Sequence, residues 1–350
     1  MNKKCKGCGV MLQNSDVKKI GYVVDFNQDY CQRCYRLTHY GDITLSLKHG
    51  IDPDMVVHKL QQENGILAWV VDIMDFEEAF IPHFNEVFKD KTVILIITKS
   101  DLLSQLLTPE KCMTFIQQRC QSLHIHYDGI VVSGKYDDAS AIEIKQQLKS
   151  YADGRTLIFA GKANAGKSTF INTLMGNTDL TTSRYPGTTI DFNPIKIDDD
   201  FTIIDTPGIE GSHSIVMEAD EKDLKVICPT KPIRAKVYQL HSNQTYAIAG
   251  LVKIDILGVK KANMVVYVSN QLTIHRSKYD ANNTLWKKHK GTTFKPTINT
   301  SEKITEYPKF KDKKDIVIAG LGWINVNGDY EKIIITTPHN VYLSVRKAMI

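Results

Sequence analysis

Gly161-Lys-Ala-Asn164-Ala165-Gly166-Lys167-Ser168 places two glycines, a lysine and a hydroxyl at the spacing of a phosphate-binding loop, G-x-x-x-x-G-K-[ST]. The glycines let successive backbone N–H groups curl round an anion, and the helix that follows adds the favourable end of its dipole. Lys167 would reach the β- and γ-phosphates of a nucleoside triphosphate, and the Ser168 hydroxyl would ligate Mg²⁺, with Ala165 and Thr169 beside them. Downstream, Asp205-Thr-Pro-Gly208 ends an apolar run. An aspartate there holds Mg²⁺ through water, and the Gly208 N–H meets the γ-phosphate. Between the two, Pro186-Gly-Thr-Thr189 lies in a polar stretch, where Thr189 would complete the Mg²⁺ shell with Ser168 and Asp205. Glycine-rich loops and Asp-x-x-Gly turns also arise without a ligand. The strand before Gly161 and the helical pattern after Lys167 make this loop specific.

Thr98-Lys99-Ser-Asp101 closes a second apolar run and resembles the Asn-Lys-x-Asp motif that selects guanine. A carboxylate at Asp101 would accept from the ring N–H and exocyclic amine of guanine. Adenine offers the wrong donors and would leave that carboxylate unpaired. Thr98 stands where asparagine is usual. Ser133-Gly134-Lys135, after a third run, resembles the loop whose backbone N–H contacts the guanine carbonyl.

A different chemistry is suggested near the start. Cys5-Lys-Gly-Cys8 and Cys31-Gln-Arg-Cys34 present two pairs of thiols, 22 residues apart. Two such turns satisfy tetrahedral Zn²⁺, and a segment with little core of its own gains a staple from it. A disulfide or an iron–sulfur cluster is the alternative. Cys112, Cys120 and Cys228 are isolated and read as buried thiols.

The elements that must position these groups follow from pattern. Strand runs at Ile66–Asp72, Thr92–Thr98, Gly129–Ser133, Thr156–Ala160, Asp191–Ile197 and Phe201–Asp205 alternate with helical spacing at Glu78–Phe88, Pro109–Leu123, Ala139–Tyr151 and Lys167–Met175. That alternation predicts an α/β layer with a mostly parallel sheet. Beyond Gly211 a helix-like piece, Ile215–Val226, precedes β-type alternation, and 276–314 reads as polar loops. Ile248-Ala-Gly-Leu251 recurs as Ile318-Ala-Gly-Leu321, which suggests a duplicated β-unit or coincidence.

In Ras-like GTPases the guanine motif follows the phosphate loop; here it precedes it. A circular permutation accounts for this, with the usual last helix joined through Asp153-Gly154 to the usual first strand. Together with the N-terminal cysteine pairs, Val71-Asp-Ile-Met-Asp75-Phe76 and Ala319-Gly-Leu-Gly-Trp323, this order resembles the YqeH family of circularly permuted GTPases. The expected architecture is an α/β chain of three parts: a zinc module at 1–45, a circularly permuted Ras-like P-loop GTPase domain at 46–210, and a β-rich basic domain at 211–350. The resemblance implies a GTP-binding, slowly hydrolysing switch in assembly of the small (30S) ribosomal subunit, with RNA or that particle as partner.

Lys167 and Asn164 are the candidate catalytic residues. Ile209 occupies the position where many GTPases place a water-orienting glutamine, and it cannot hydrogen-bond water. Asn164 matches the asparagine that in related GTPases helps hold K⁺ beside the phosphates, so K⁺ joins GTP, Mg²⁺ and Zn²⁺ as an expected cofactor. Asp72 and Asp75 suggest a structural or switch-contact role, and Asp198-Asp-Asp200 a solvated turn.

The 350 residues are 42% hydrophobic and 24% charged, which excludes a disordered or collagen-like chain. No apolar run reaches the roughly 20 residues of a membrane span. With no secretory signal and thiols spaced for metal, the expectation is a cytoplasmic monomer. The net charge of +5 divides into −5 for residues 1–210 and +10 for 211–350, which favours a polyanionic partner for the C-terminal part or only keeps it dissolved. Trp286, Phe294, Tyr307 and Phe310 lie among the lysines of that region, a composition shared by RNA contacts and by plain β-domains. The rival functions are a metabolic P-loop kinase or ATPase, and a nucleotide-dependent interaction scaffold.

Overall fold

The computed structural model describes residues 3, 5, 11–15, 21–32, 35, 53–134, 138–175, 192–209, 211 and 213–350. The chain groups into two compact units, Met1–Ser100 with Gln117–Gly211, and Asp101–Ile116 with Ser212–Ile350.

The first unit is built on β1 (Ile66–Asp72), β2 (Val93–Thr98), β3 (Gly129–Val132), β4 (Leu157–Gly161), β5 (Asn193–Asp198) and β6 (Phe201–Asp205), in the order β3-β2-β1-β4-β6-β5. All neighbours are parallel except β5, which runs antiparallel to β6. Val- and Ile-rich runs buried on both faces need cover on both, which the crossover segments supply. After α1 (Pro53–Gln62) and α2 (Pro109–Ser122) come α3 (Asp138–Ala152) and α4 (Lys167–Leu174), and Val70, Ile96, Phe159, Phe170 and Ile203 share one core under these last two. Register sets Asp72 beside Thr98, Val70 beside Gly161 and Phe159 beside Asp205. The chemistry-bearing residues therefore gather at the carboxyl ends of the strands, where open α/β sheets bind ligands.

One expected helix is absent. Glu78–Phe88 is not continuous: a 3₁₀ helix ends at Glu78 and a single turn covers Phe84–Val87. Pro82 disfavours helix at Ile81, and His83 takes φ 55. The phenylalanines that suggested a helix instead stack edge-on, Phe80 to Phe84 at 5.2 Å and Phe84 to Phe88 at 5.2 Å. Phe84 also packs against the buried Trp69 ring at 5.0 Å.

The second unit is β-rich. Its two five-stranded sheets run β16-β13-β14-β10-β7 and β11-β8-β9-β15-β12, with β7 Lys236–Leu240, β8 Gln244–Ile248, β9 Val252–Leu257, β10 Lys261–Val268, β11 Ile274–Lys278, β12 Glu302–Pro308, β13 Lys314–Ile318, β14 Gly322–Asp329, β15 Lys332–Pro338 and β16 Leu343–Lys347. Exchanging each of β7 to β11 with the strand five places later converts one order into the other. The domain is thus two copies of a five-strand unit, each lending its fourth and first strands to the other's sheet. Ile-Ala-Gly-Leu occupies the same hairpin in both copies. Leu251 N–H donates to Ile248 O at 3.1 Å and Leu321 N–H to Ile318 O at 3.0 Å. Ala249 and Ala319 donate to Thr273 O and Tyr342 O, each just before the unit's last strand.

Two further expectations for this unit are corrected. Ile215–Val226 is broken into single turns, because Ala219 leaves helical geometry at ψ 156. The segment read as loops holds most of β11, a short helix at Thr284–His289 and β12, an edge strand with exposed Ile304. Among the described residues no helix is long and apolar enough to cross a membrane.

Candidate functional site

The phosphate loop leaves β4 at Gly161 and enters α4 at Lys167. Gly161 has φ 154, and a Cβ there would meet Val70 O at 2.6 Å. Gly166 has φ 90 and faces Thr98, which a Cβ would meet at 3.3 Å. Both positions therefore demand glycine, and the first-turn N–H groups of α4 have no side-chain cap. This cradle fits a phosphate chain. Lys167 is buried and ion-paired with Asp205. Ser168 and Thr169 follow in the first turn of α4, Ser168 half-buried and Thr169 exposed. An ammonium and a carboxylate this close form the pair between which a triphosphate and Mg²⁺ would insert, the metal then balancing the carboxylate.

Asp205 ends β6, and the chain beyond it is laced to the loop. Thr206 Oγ1 donates to Phe159 O at 2.8 Å, Ile209 N–H to Gly161 O at 3.0 Å, and Ala163 N–H to Ile209 O at 2.7 Å. Gly208 allows the approach, since a Cβ there would lie 3.0 Å from Ala163 Cα. The Ile209 side chain is fully buried, so this position carries packing and not a water-directing group.

From the other side, β2 delivers Thr98 and Lys99 to the same loop. The Thr98 hydroxyl lies within hydrogen-bond reach of Val71 O at 3.1 Å and of Ala165 O. Lys99 Nζ donates to Asn164 O at 2.9 Å and pairs with Asp72 Oδ2 at 2.5 Å. Threonine at 98 is thereby a brace between strand and loop, a job a short hydroxyl does from a buried position. Asp101 follows in a 3₁₀ helix, Ser100–Leu103, with Ser104 Oγ donating to its carbonyl at 2.7 Å. Ser133 N–H donates to Ile97 O at 2.7 Å, and its carbonyl accepts from Ser100 Oγ at 2.8 Å, which bolts the Ser133-Gly134 turn to the base-motif strand.

Lys135, Thr189, Cys8 and Cys34 lie outside the described residues. The other two cysteines are buried together, with Cys31 N–H donating to Cys5 Sγ at 3.1 Å. A backbone donor aimed at sulfur suits thiolate, and so suits metal ligation. Among the described residues no group of three or more His, Cys, Asp or Glu is placed to hold a metal ion. Cys112 and Cys120 are buried, and burial pushes the Cys120 thiol up to about 12. Asp198 and Asp200 pair with Lys149 at 3.0 and 2.7 Å, which makes that turn a salt-bridged corner. In the basic C-terminal stretch Trp286 and Phe294 are buried beside Ala247, so their faces are not open for stacking on bases. Two polar contacts escaped sequence reasoning: the hold of Asp72 on Lys99, and a buried ion pair of Arg119 with Glu77 at 3.0 Å. Neither is marked in the sequence: Asp72 comes beside Thr98, and so near Lys99, only once β1 and β2 align.

Three family models match the chain. One described as YqeH-like, C-terminal, covers residues 261–349; one described as 50S ribosome-binding GTPase covers 156–298; one described as RsgA GTPase covers 73–214. The last takes in the base motif and then the phosphate loop, in that order. The YqeH protein of Bacillus subtilis is 30% identical over 366 residues, spanning 99% of this chain and 99% of its own length. NO-associated protein 1 of Arabidopsis thaliana is 26% identical over 398 residues, 92% of this chain and 69% of that protein. GTPase Der of Clostridium botulinum is 28% identical over 194 residues, 49% of this chain and 42% of that one. With the phosphate loop downstream of the base motif and full-length similarity at this level, the chain belongs to the YqeH family of circularly permuted GTPases.

Proposed function

We propose that the protein is a GTP·Mg²⁺ switch that hydrolyses slowly and engages RNA within the small (30S) ribosomal subunit or its precursor. The observation that carries this reading is the clasp of Thr98 and Lys99 on Asn164 and Ala165, since it joins a base-selecting motif to a phosphate cradle. In this reading Asp101 accepts from guanine, Ser133, Gly134 and Lys135 face its carbonyl, Lys167 neutralises developing phosphate charge, and Ser168, Thr189 and Asp205 share Mg²⁺. Asn164 would also hold K⁺; equal turnover in K⁺ and Na⁺, with Asn164→Ala unchanged, removes that ion from the scheme. Cys5, Cys8, Cys31 and Cys34 would hold Zn²⁺ in the module at 1–45, an assignment that metal analysis showing no zinc in the purified protein defeats. The basic domain at 211–350 would supply the nucleic-acid contacts. A cytoplasmic monomer fits this work.

The description of one matching family names the 50S particle, so the particle itself is the point to test. Lysate is sedimented with GDP or a non-hydrolysable GTP analogue, beside an Asp101→Asn variant given xanthosine nucleotides. Nucleotide-dependent migration with small-subunit particles, transferred to xanthosine nucleotides in the variant, is the expected result. Migration with the large subunit changes the assigned particle. Protein that stays unbound in every nucleotide state defeats the ribosomal assignment, and an Asp101→Asn variant still preferring GTP defeats the guanine assignment.

A further inference from the structure

Asp72 lies outside the motifs that mark the nucleotide site, yet both of its carboxylate oxygens are engaged. Oδ1 accepts from Met74 N–H at 2.9 Å and caps the 3₁₀ helix Ile73–Glu78. Oδ2 meets Lys99 Nζ at 2.5 Å, and that ammonium donates onward to Asn164 O at 2.9 Å. The route from β1 to the phosphate loop is therefore continuous: helix cap, carboxylate, lysine, loop carbonyl. It begins where the sheet places it, since Asp72 and Thr98 are register partners on β1 and β2. The Asp72 and Lys99 side chains are only 16% and 27% exposed, so the pair is shielded from the water that loosens ion pairs on an open surface. A lysine stem is otherwise free to rotate; two fixed partners at one ammonium remove that freedom.

We propose that Asp72 is a positioning residue for guanine nucleotide binding. It holds the Lys99 ammonium against Asn164 O, and so presents the lysine stem as a flat support for the purine before nucleotide arrives. Pre-ordering the clamp removes a cost that binding would otherwise carry. The inference rests on the guanine reading of Thr98 to Asp101. It also predicts that Asp72 acts only through Lys99.

The test is a double-mutant cycle on the full chain, read as GDP affinity, with Asp72→Asn, Asp72→Glu, Lys99→Met and Asp72→Asn combined with Lys99→Met. Asparagine keeps an oxygen for the Met74 cap and discards the charge. Asp72→Asn should weaken GDP binding about tenfold, a coupling of the size found for directly contacting residues. Asp72→Glu should recover most of that loss, and Asp72→Asn should cost nothing further once Lys99 is methionine. A role limited to capping gives the same loss in both backgrounds and a lowered melting temperature, and it overturns the proposal. Wild-type affinity in Asp72→Asn overturns it as well. If Lys99→Met alone leaves GDP affinity intact, the guanine reading falls and takes this inference with it, so the two failures are distinct. Should Asp72→Asn not fold, Asp72→Ser, which keeps a capping oxygen, replaces it in the cycle.

Discussion

Both units bury ion pairs, and they bury them in different places. In the nucleotide-binding unit the partly exposed Lys99–Asp72 and the buried Lys167–Asp205 sit where parallel strands end, while the buried Arg119–Glu77 pair lies off the sheet, between the 3₁₀ helix Ile73–Glu78 and the helix Pro109–Ser122. In the C-terminal unit Lys253 pairs with Asp255 within β9, and Arg346 on β16 meets Asp315 on β13 at 3.3 Å, with the guanidinium between the Trp323 and Phe115 rings at 5.0 and 4.9 Å. The duplicated units even use matching sites: Thr245 and Asp255 face each other across one hairpin, Asp315 and Asn325 across its counterpart. A pair at a strand end can exchange its partner for a ligand. A pair inside a sheet is flanked by strands and not by an open end: β13 is paired on both sides, and Asp315 there also accepts from Met349 N–H at 2.9 Å. Position along the strand, more than burial, separates a binding group from a structural one.

The largest effects should break along that line. Lys167→Ala should reduce nucleotide affinity on the order of 100-fold, the scale of losing one charged donor at a phosphate site. Arg346→Met should cost the fold about 3–5 kcal/mol, because it strands a buried carboxylate, while the folded fraction binds GDP as before. Nucleotide titration and denaturant unfolding of the two variants make the comparison. A GDP affinity lowered as much by Arg346→Met as by Lys167→Ala would dissolve the distinction.

Acid should separate the units with opposite signs. Burial holds the Asp315 carboxyl above its ordinary range, with Arg346 opposing the shift. The native state then binds that proton more tightly than the unfolded chain, so stability is greatest below the unfolded value near 4 and declines as pH rises towards the native one. Asp198 and Asp200 are held below their ordinary range, chiefly by hydrogen bonds from Lys149. Their contribution is present above the unfolded value and is lost as pH falls through the native one. Because Asp200 is exposed and Asp198 only half-buried, it is small. Denaturation followed from pH 3 to 7 should lose a downward slope in Asp315→Asn and an upward one in Lys149→Met. Parallel profiles for the two variants would contradict the assigned signs.

What sequence alone made legible follows the same division. Ile66–Asp72 and Phe201–Asp205 have the bounds their pattern suggests, since a buried Val/Ile run ended by aspartate marks both the strand and its carboxyl end. The hidden parts are those whose pattern serves another purpose. Phe80, Phe84 and Phe88 are spaced as a helix face, yet through a broken chain Phe84 and Phe88 pack on Trp69 and Phe80 packs on Phe84. β12 turns Ile304 outward and keeps Lys303, Thr305 and Tyr307 half-buried, the reverse of the polarity by which strands are found. Asp72 looked like an ordinary strand-end carboxylate, because its partner Lys99 is near only after β1 and β2 align.

The smallest effects concern glycines, and they sharpen the comparison through backbone instead of charge. Gly250, in the first Ile-Ala-Gly-Leu turn, lies under the Phe294 carbonyl; a Cβ would meet that oxygen at 2.6 Å and Thr297 Cβ at 2.8 Å. Gly250→Ala must displace backbone and should cost about 1–3 kcal/mol of C-terminal stability. Gly154, at the joint between α3 and β4, has φ 75 after Asp153 at φ 45, and nothing lies within 4 Å of a Cβ there. Only the left-handed conformation resists a side chain at that position, so Gly154→Ala should cost about 1 kcal/mol, with nucleotide affinity unmoved. Gly154→Asn, which tolerates left-handed geometry, should cost less than alanine. The joint leads into β4 and so stands one strand before the phosphate loop; a GDP affinity that falls in step with Gly154 stability would show that the joint is part of the site and not only of the fold.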